Sequence, residues 1–207
     1  SEAARADWNE ILANSLPWVD IITPNAAELS FMMDRAVYLD HCDDLNSPFL
    51  DWVTFDYLHE LSNKVLAYGV KALMIKIGHR GIFLRTAGER AWQKTGKGLL
   101  GLGEAWHDRE MWAPAFEVAV GGTTGAGDSA IAGFLTGLLI SASPETALRL
   151  AAAAGAASVE GTDVVGGLIP WEQLMTRANS GWATMPFDFN PSSEWQLEEN
   201  GLWQKRK

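Results

Sequence analysis

Gly121, Gly122, Thr123, Thr124, Gly125, Ala126, Gly127 and Asp128 lead directly into an apolar, helix-forming run that ends near Ile140. This order of residue types makes an anion site. Gly125 and Gly127 permit backbone angles that a side chain would forbid, so successive N–H groups can converge on one point where the next helix begins. The positive end of that helix's dipole lies at the same point. A carboxylate at Asp128 could reach a hydroxyl beside a bound phosphate and take its proton as it attacks, which is the chemistry of phosphoryl transfer. The plainer reading is that Asp128 simply caps a helix over residues 128–140.

Two further segments carry polar residues at meaningful spacing. Residues 16–29, Leu-Pro-Trp-Val-Asp-Ile-Ile-Thr-Pro-Asn-Ala-Ala-Glu-Leu, read as a buried strand, a proline turn and the start of a helix. Asn25 and Glu28 are three apart and therefore neighbours on that helix, and Thr23 or Asn25 could cap its first turn. Glu28 folding back onto backbone N–H groups would complete a capping box. Residues 71–77 form an apolar strand, Gly78-His79-Arg80-Gly81 a turn, and residues 82–85 a second strand. Alone, this unit is also a plain hairpin.

In this order the three strings resemble the signatures of the ribokinase (PfkB-type) carbohydrate kinase family, and the resemblance covers residues 16–173, about three quarters of the chain. It implies a layered α/β/α ribokinase-like domain that uses ATP and Mg2+ to phosphorylate an alcohol group of a sugar or sugar-like substrate. By that resemblance, Gly125, Ala126 and Gly127 supply backbone donors to the transferring phosphate and Asp128 is the general base. Glu28, in the family's N-x-x-E motif, helps hold magnesium through water. Lys76, Gly78 and Gly81 match a K-x-G-x-x-G turn beside the nucleotide, with His79 and Arg80 in its variable places; Thr124 and Asn25 join them there. The family commonly has an aspartate where Gly122 stands, in a segment that contributes to a monovalent-cation site, and the glycine leaves that cation an open further cofactor. Only the C-terminal half of such an enzyme is matched. The expected domain is truncated, without the N-terminal half that carries the early glycine-rich motif, most sugar-binding residues and the lid.

The elements that must position these residues follow from periodicity. Apolar residues at helical spacing predict helices over residues 2–16 and 51–68. Residues 147–160 predict a helix with almost no side-chain bulk around Ala151 to Ser158, suited to close packing by another helix, with an edge towards an adenine. Residues 93–109 read as a long loop before a strand around residues 116–120, with Trp106 and Trp112 either pinning the loop or covering a site. The domain is expected to occupy residues 1–178. Residues 179–207 form a tail in which Pro186, Asn190, Pro191, Ser192 and Ser193 alternate with Trp182, Phe187, Phe189, Trp195 and Trp203; so many aromatics predict rings laid on the domain or a partner, with irregular backbone between them.

At 207 residues and 47% hydrophobic content, the chain can bury one substantial core. A net charge of −10, with no basic stripe beyond Lys205-Arg206-Lys207, argues against nucleic acid or anionic lipid as a partner. No apolar stretch is long enough to span a bilayer, and the first residues lack a signal peptide's organisation, so a soluble, cytoplasmic protein is expected. Cys42, the only cysteine, rules out an internal disulfide. His41, Asp43 and Asp44 beside it read as a solvated loop, because adjacent residues do not converge on an ion as spaced ligands do. His59, His79 and His107 are scattered, with no nucleophile partner to suggest a hydrolase triad. Uncovered strand edges predict self-association, or a need for the missing N-terminal half. The rivals to a sugar kinase are a non-catalytic nucleotide-binding or assembly module and a nucleoside or vitamin kinase.

Overall fold

An apolar strand with bulky side chains on both faces must be covered twice, and the arrangement of layers follows from this. The computed structural model describes residues 6–42, 48–99, 101–163, 166–186, 192 and 194–206. Six strands form one sheet in the order β1 (Ile21–Ile22), β2 (Ala72–Lys76), β3 (Ile82–Thr86), β4 (Glu110–Ala113), β6 (Trp203–Lys205), β5 (Trp195–Leu197). β1 runs parallel to β2, and the other neighbours are antiparallel.

The two-residue period of the strands sorts their side chains between two cores. Leu73, Ile75, Phe83 and Trp112 join Leu12, Leu29, Leu58 and Leu61 from α1 (Trp8–Ser15), α2 (Ala26–Met33) and α5 (Phe55–Ala67). Met74, Leu84 and Met111 join Phe134, Leu148 and Ala151 from α7 (Ala126–Leu139) and α8 (Pro144–Glu160). The short α3 (Arg35–His41) and α4 (Pro48–Trp52) lie with the first group, α6 (Glu89–Trp92) follows β3, and α9 (Trp171–Asn179) packs on α8. This is the expected α/β/α layering.

Helices α7 and α8 meet almost backbone to backbone. A Cβ added at Gly133 would lie 2.6 Å from the Leu150 carbonyl oxygen, and one at Gly137 would lie 2.6 Å from Cα of Ala147. The alanine-rich face of α8 is therefore chiefly a seat for α7.

Three expectations are altered. The helix expected over residues 51–68 is broken: Thr54 caps α5 by accepting from the Tyr57 amide, and the Arg80 guanidinium takes the carbonyls of Leu50, Asp51 and Val53 at the end of α4. The strand expected around residues 116–120 lies earlier, as β4. Pro114 lacks the N–H a ladder needs, and Phe116 makes only an isolated bridge to Thr184. In the tail, β5 and β6 form a hairpin that extends the sheet, so its backbone is not irregular there. Trp195 is buried against Phe55 with ring centroids 4.0 Å apart, and Trp182 stacks on Phe116 at 4.5 Å. Trp106 pins its loop, donating to the Ala142 carbonyl, whereas Trp112 sits within β4 and donates to that of Arg80. Residues 1–5, Asp43, Asp44, Phe187, Phe189, Asn190, Pro191, Ser193 and Lys207, on which other expectations fell, lie outside the described residues.

Among the described residues β1 and β5 are the edge strands, and Trp18 just ahead of β1 is 88% exposed. Among the described residues no helix is long and apolar enough to cross a membrane, and no cluster of three or more His, Cys, Asp or Glu could hold a metal ion.

Gly137→Val should destabilise the protein by about 1–3 kcal/mol through overpacking of α7 on α8. Urea unfolding checks this, and a change below about 0.5 kcal/mol, the scale of a surface substitution, would contradict the close contact.

Candidate active site

The start of α7, like that of α9, lacks the side-chain cap that closes four other helices. α1, α2, α5 and α8 are each capped by a side chain, from Asp7, Asn25, Thr54 and Ser143 respectively. Gly125 stands at the corresponding position of α7 with φ 83° and ψ −9°, and no side chain caps the helix. This left-handed conformation costs glycine little and most other residues about 1–2 kcal/mol. The Ala126 amide reaches the Thr123 carbonyl only at 3.4 Å, while those of Gly127 and Asp128 have no backbone acceptor among the described residues. Asp128 does not cap its own helix. It is exposed, and its carboxylate has no partner among the described residues. The turn thus presents unsatisfied donors at the positive end of a 14-residue helix.

Lys76, at the end of β2, adds charge to the same point. Its side chain lies along Gly127, and a Cβ there would sit 3.7 Å from Nζ. Among the described residues no carboxylate is within ion-pair distance of the ammonium. An unpaired cation placed beside uncapped amides makes a strongly positive spot in a chain of net charge −10. The turn after Lys76 is fixed by Gly78, at φ 56°, and Gly81, at φ 102°, where a Cβ would collide with the Ala113 carbonyl.

Asn25 is brought to this place by backbone pairing. The Lys76 amide donates to the Pro24 carbonyl at 3.0 Å, and Asn25 and Lys76 form an isolated parallel bridge. Asn25 and Glu28 complete the capping box: the Asn25 side chain accepts from the Glu28 amide at 2.7 Å, and Glu28 Oε2 accepts from the Asn25 amide at 2.8 Å. Glu28 is exposed, and this bond occupies one of its two carboxylate oxygens.

A cleft of about 490 Å³ gathers Asn25, Lys76, Gly78, Gly81, Ala126 and Gly127. Thr124, Gly125, Asp128 and Glu28 belong to the same turn and helix starts but do not line it. Apart from His79 and Thr123, its remaining wall is apolar. Ala152, Gly155, Ala156 and Val159 of α8 supply one side. Phe116, Val118, Val120 and Met185 supply the other, and sequence reasoning missed all four. The alternation of Phe116, Val118 and Val120 carried a signal, since it turns three apolar side chains one way. Met185 had none: the Met185 amide donates to the Ala115 carbonyl at 2.8 Å, a contact between residues 70 positions apart. The loop ahead of α7 is tied to the end of α8, where the Gly121 and Gly122 amides donate to the Val159 carbonyl at 2.8 and 3.1 Å.

The profile of the pfkB family carbohydrate kinases matches residues 5–170. The chain belongs to this family. Among solved structures it is similar to a ribokinase of Arabidopsis thaliana complexed with ribose and ATP, at 24% identity and TM-score 0.54, over 79% of this chain and 42% of that one. Another is a ribokinase of Thermotoga maritima, at 22% identity and TM-score 0.52, over 79% and 43%. A third is a nucleoside kinase of Burkholderia thailandensis in complex with inosine, at 19% identity and TM-score 0.51, over 80% and 42%. The likenesses extend the family assignment to the fold. The chain spans about two fifths of the length of these relatives. No curated protein shows significant similarity to it.

Proposed function

We propose that this chain carries the nucleotide-binding and catalytic part of an ATP-dependent kinase that phosphorylates an alcohol group of a sugar or sugar-like compound. The observation behind the proposal is the uncapped start of α7 with the unpaired ammonium of Lys76 against it. The donor set fits a triphosphate, and the small-residue wall of α8 leaves room for a flat base. Bound MgATP would supply the transferable phosphoryl group.

The amides of Gly125, Ala126 and Gly127 hold the charge that develops on the transferring group, and Lys76 and Thr124 neutralise and position the phosphates behind it. Gly78 and Gly81 keep the turn close enough for Lys76 to reach. Asp128, exposed on the first turn of α7, takes the proton of the attacking hydroxyl. Asn25 fixes the start of α2, and the Glu28 oxygen left free by the capping box would help hold the magnesium of the nucleotide. A monovalent cation near the 121–122 loop belongs to this proposal only as an optional addition.

Among the described residues the two-residue β1 pairs on one side only, with exposed Trp18 just ahead of it. A complementary N-terminal half, or a second copy of the chain, covers this edge. Sedimentation should therefore show association that grows with concentration, and a single monomeric species over a wide range would contradict self-association. A nucleoside in place of the sugar is the nearest alternative substrate, since a relative is a nucleoside kinase in complex with inosine.

With the remaining part of the family's fold supplied in cis or in trans, Asp128→Asn should lower turnover by about 10²–10⁴-fold with little change in nucleotide affinity. Turnover equal to that of the unsubstituted protein would remove Asp128 from the role of base.

A further inference from the structure

A second cleft, of about 500 Å³, lies beyond Phe116 and Ala152, which line both cavities. Its walls come from Arg149 of α8, from Ala178 and Asn179 at the end of α9, from residues 181–184 and from the β5–β6 turn at residues 199–202. Much of it thus comes from sequence after residue 170, where the family match ends.

Arg149 is the notable group in it. Three other partly buried arginines face carboxylates: Arg85 with Glu110 at 3.7 Å, Arg177 with Glu160 at 2.5 Å, and Arg109 with Glu145. Arg80 is held by three carbonyls at the end of α4. Arg149 makes one such bond, from Nη2 to the Ala178 carbonyl at 2.6 Å. Its Nε is buried without an acceptor, and no carboxylate lies within ion-pair distance among the described residues. Burial pulls its pKa below the ordinary arginine value, the mark of a charge that has lost water without gaining a counter-charge.

The single bond has a structural role, since a cation at the end of α9 suits the helix dipole. One carbonyl carries only a partial charge, however, and a half-buried guanidinium is compensated fully by an oxyanion. Space for one is present. Gly201, at φ 79°, brings a side-chain-free turn towards Nη1, where a Cβ would stand 3.9 Å away. Asn179, Thr184 and Asn200 also line the cleft and add hydrogen-bonding groups. Glu199 also lines the cleft; it is as exposed as these groups, and water screens its charge.

We propose that this cleft is a second binding site, separate from the cleft at α7, for a small molecule bearing a phosphate or carboxylate group that pairs with Arg149. The site stands on the cavity and on Arg149, and holds whether or not the α7 cleft binds nucleotide.

The test is titration of the isotope-labelled chain with inorganic phosphate and, separately, with citrate, followed through backbone amide resonances. Saturable shifts at residues 179, 181–184 and 199–202 are expected. Arg149→Met should weaken them by at least about tenfold, the loss of one charged hydrogen bond, and Arg149→Lys should weaken them less. Lys76→Met should leave them in place while removing any shifts at residues 121–128. If Arg149→Met does not fold, the wild-type map and the lysine variant still decide. Response to phosphate alone identifies a phosphate group, and response to both a general oxyanion site. Shifts confined to residues 121–128, no saturable response to either anion, or shifts unchanged by Arg149→Met would each overturn the proposal.

Discussion

The arrangement rests on the contact between α7 and α8. Gly133 and Gly137 on one helix, and the alanines of the other, let two backbones approach until an added Cβ would fall 2.6 Å from its neighbour. That approach fixes the direction in which the first amides of α7 point. Gly155, whose Cβ would sit 3.3 Å from the Ala126 carbonyl, extends the contact to the first turn itself. Looser packing would let the start of the helix fray and turn its donors to water. Held this way, the unpaired N–H groups become a fixed electrostatic feature, one that need not reorganise when charge arrives.

The second constraint is where the sheet ends. β2 delivers Lys76 to the mouth of the cleft, and the tight turn after it is possible because Gly81 carries no Cβ to strike the Ala113 carbonyl. The pairing of Asn25 with Lys76 then brings α2 alongside. Three segments far apart in sequence thus meet at one end of the sheet, the usual place for a ligand in α/β layers. At α1, α2, α5 and α8 the chain spends a side chain on closing the helix start, as Asn25 does for α2. At α7 it leaves the end open.

Much of this was legible in the sequence because it is local. Gly125 and Gly127 ahead of an apolar helical run, Asn25 three residues before Glu28, and Gly78 with Gly81 after a strand each carry their geometry within a few residues. The small side chains of α8 likewise announced close packing. What escaped depends on tertiary pairing. Arg80, treated as a variable turn residue, divides α4 from α5 by taking carbonyls about thirty positions away. Pro114 moved the expected strand forward to β4, and Phe116 instead faces Thr184. Met185 reaches the cleft through that pairing, and Trp195 and Trp203 turned an aromatic tail into two added strands. No local pattern encodes these partners.

The most direct test of the account is thermal unfolding of the chain with and without ATP, in the presence and absence of Mg2+. The proposed nucleotide site is formed by residues of this chain. At about 100 times the dissociation constant, binding adds roughly 2.7 kcal/mol, which for a protein of this size is a rise of several degrees in Tm. The account predicts such a rise with MgATP and its loss when magnesium is withheld. No rise at millimolar MgATP would contradict it, and would leave the open end of α7 without a nucleotide to serve.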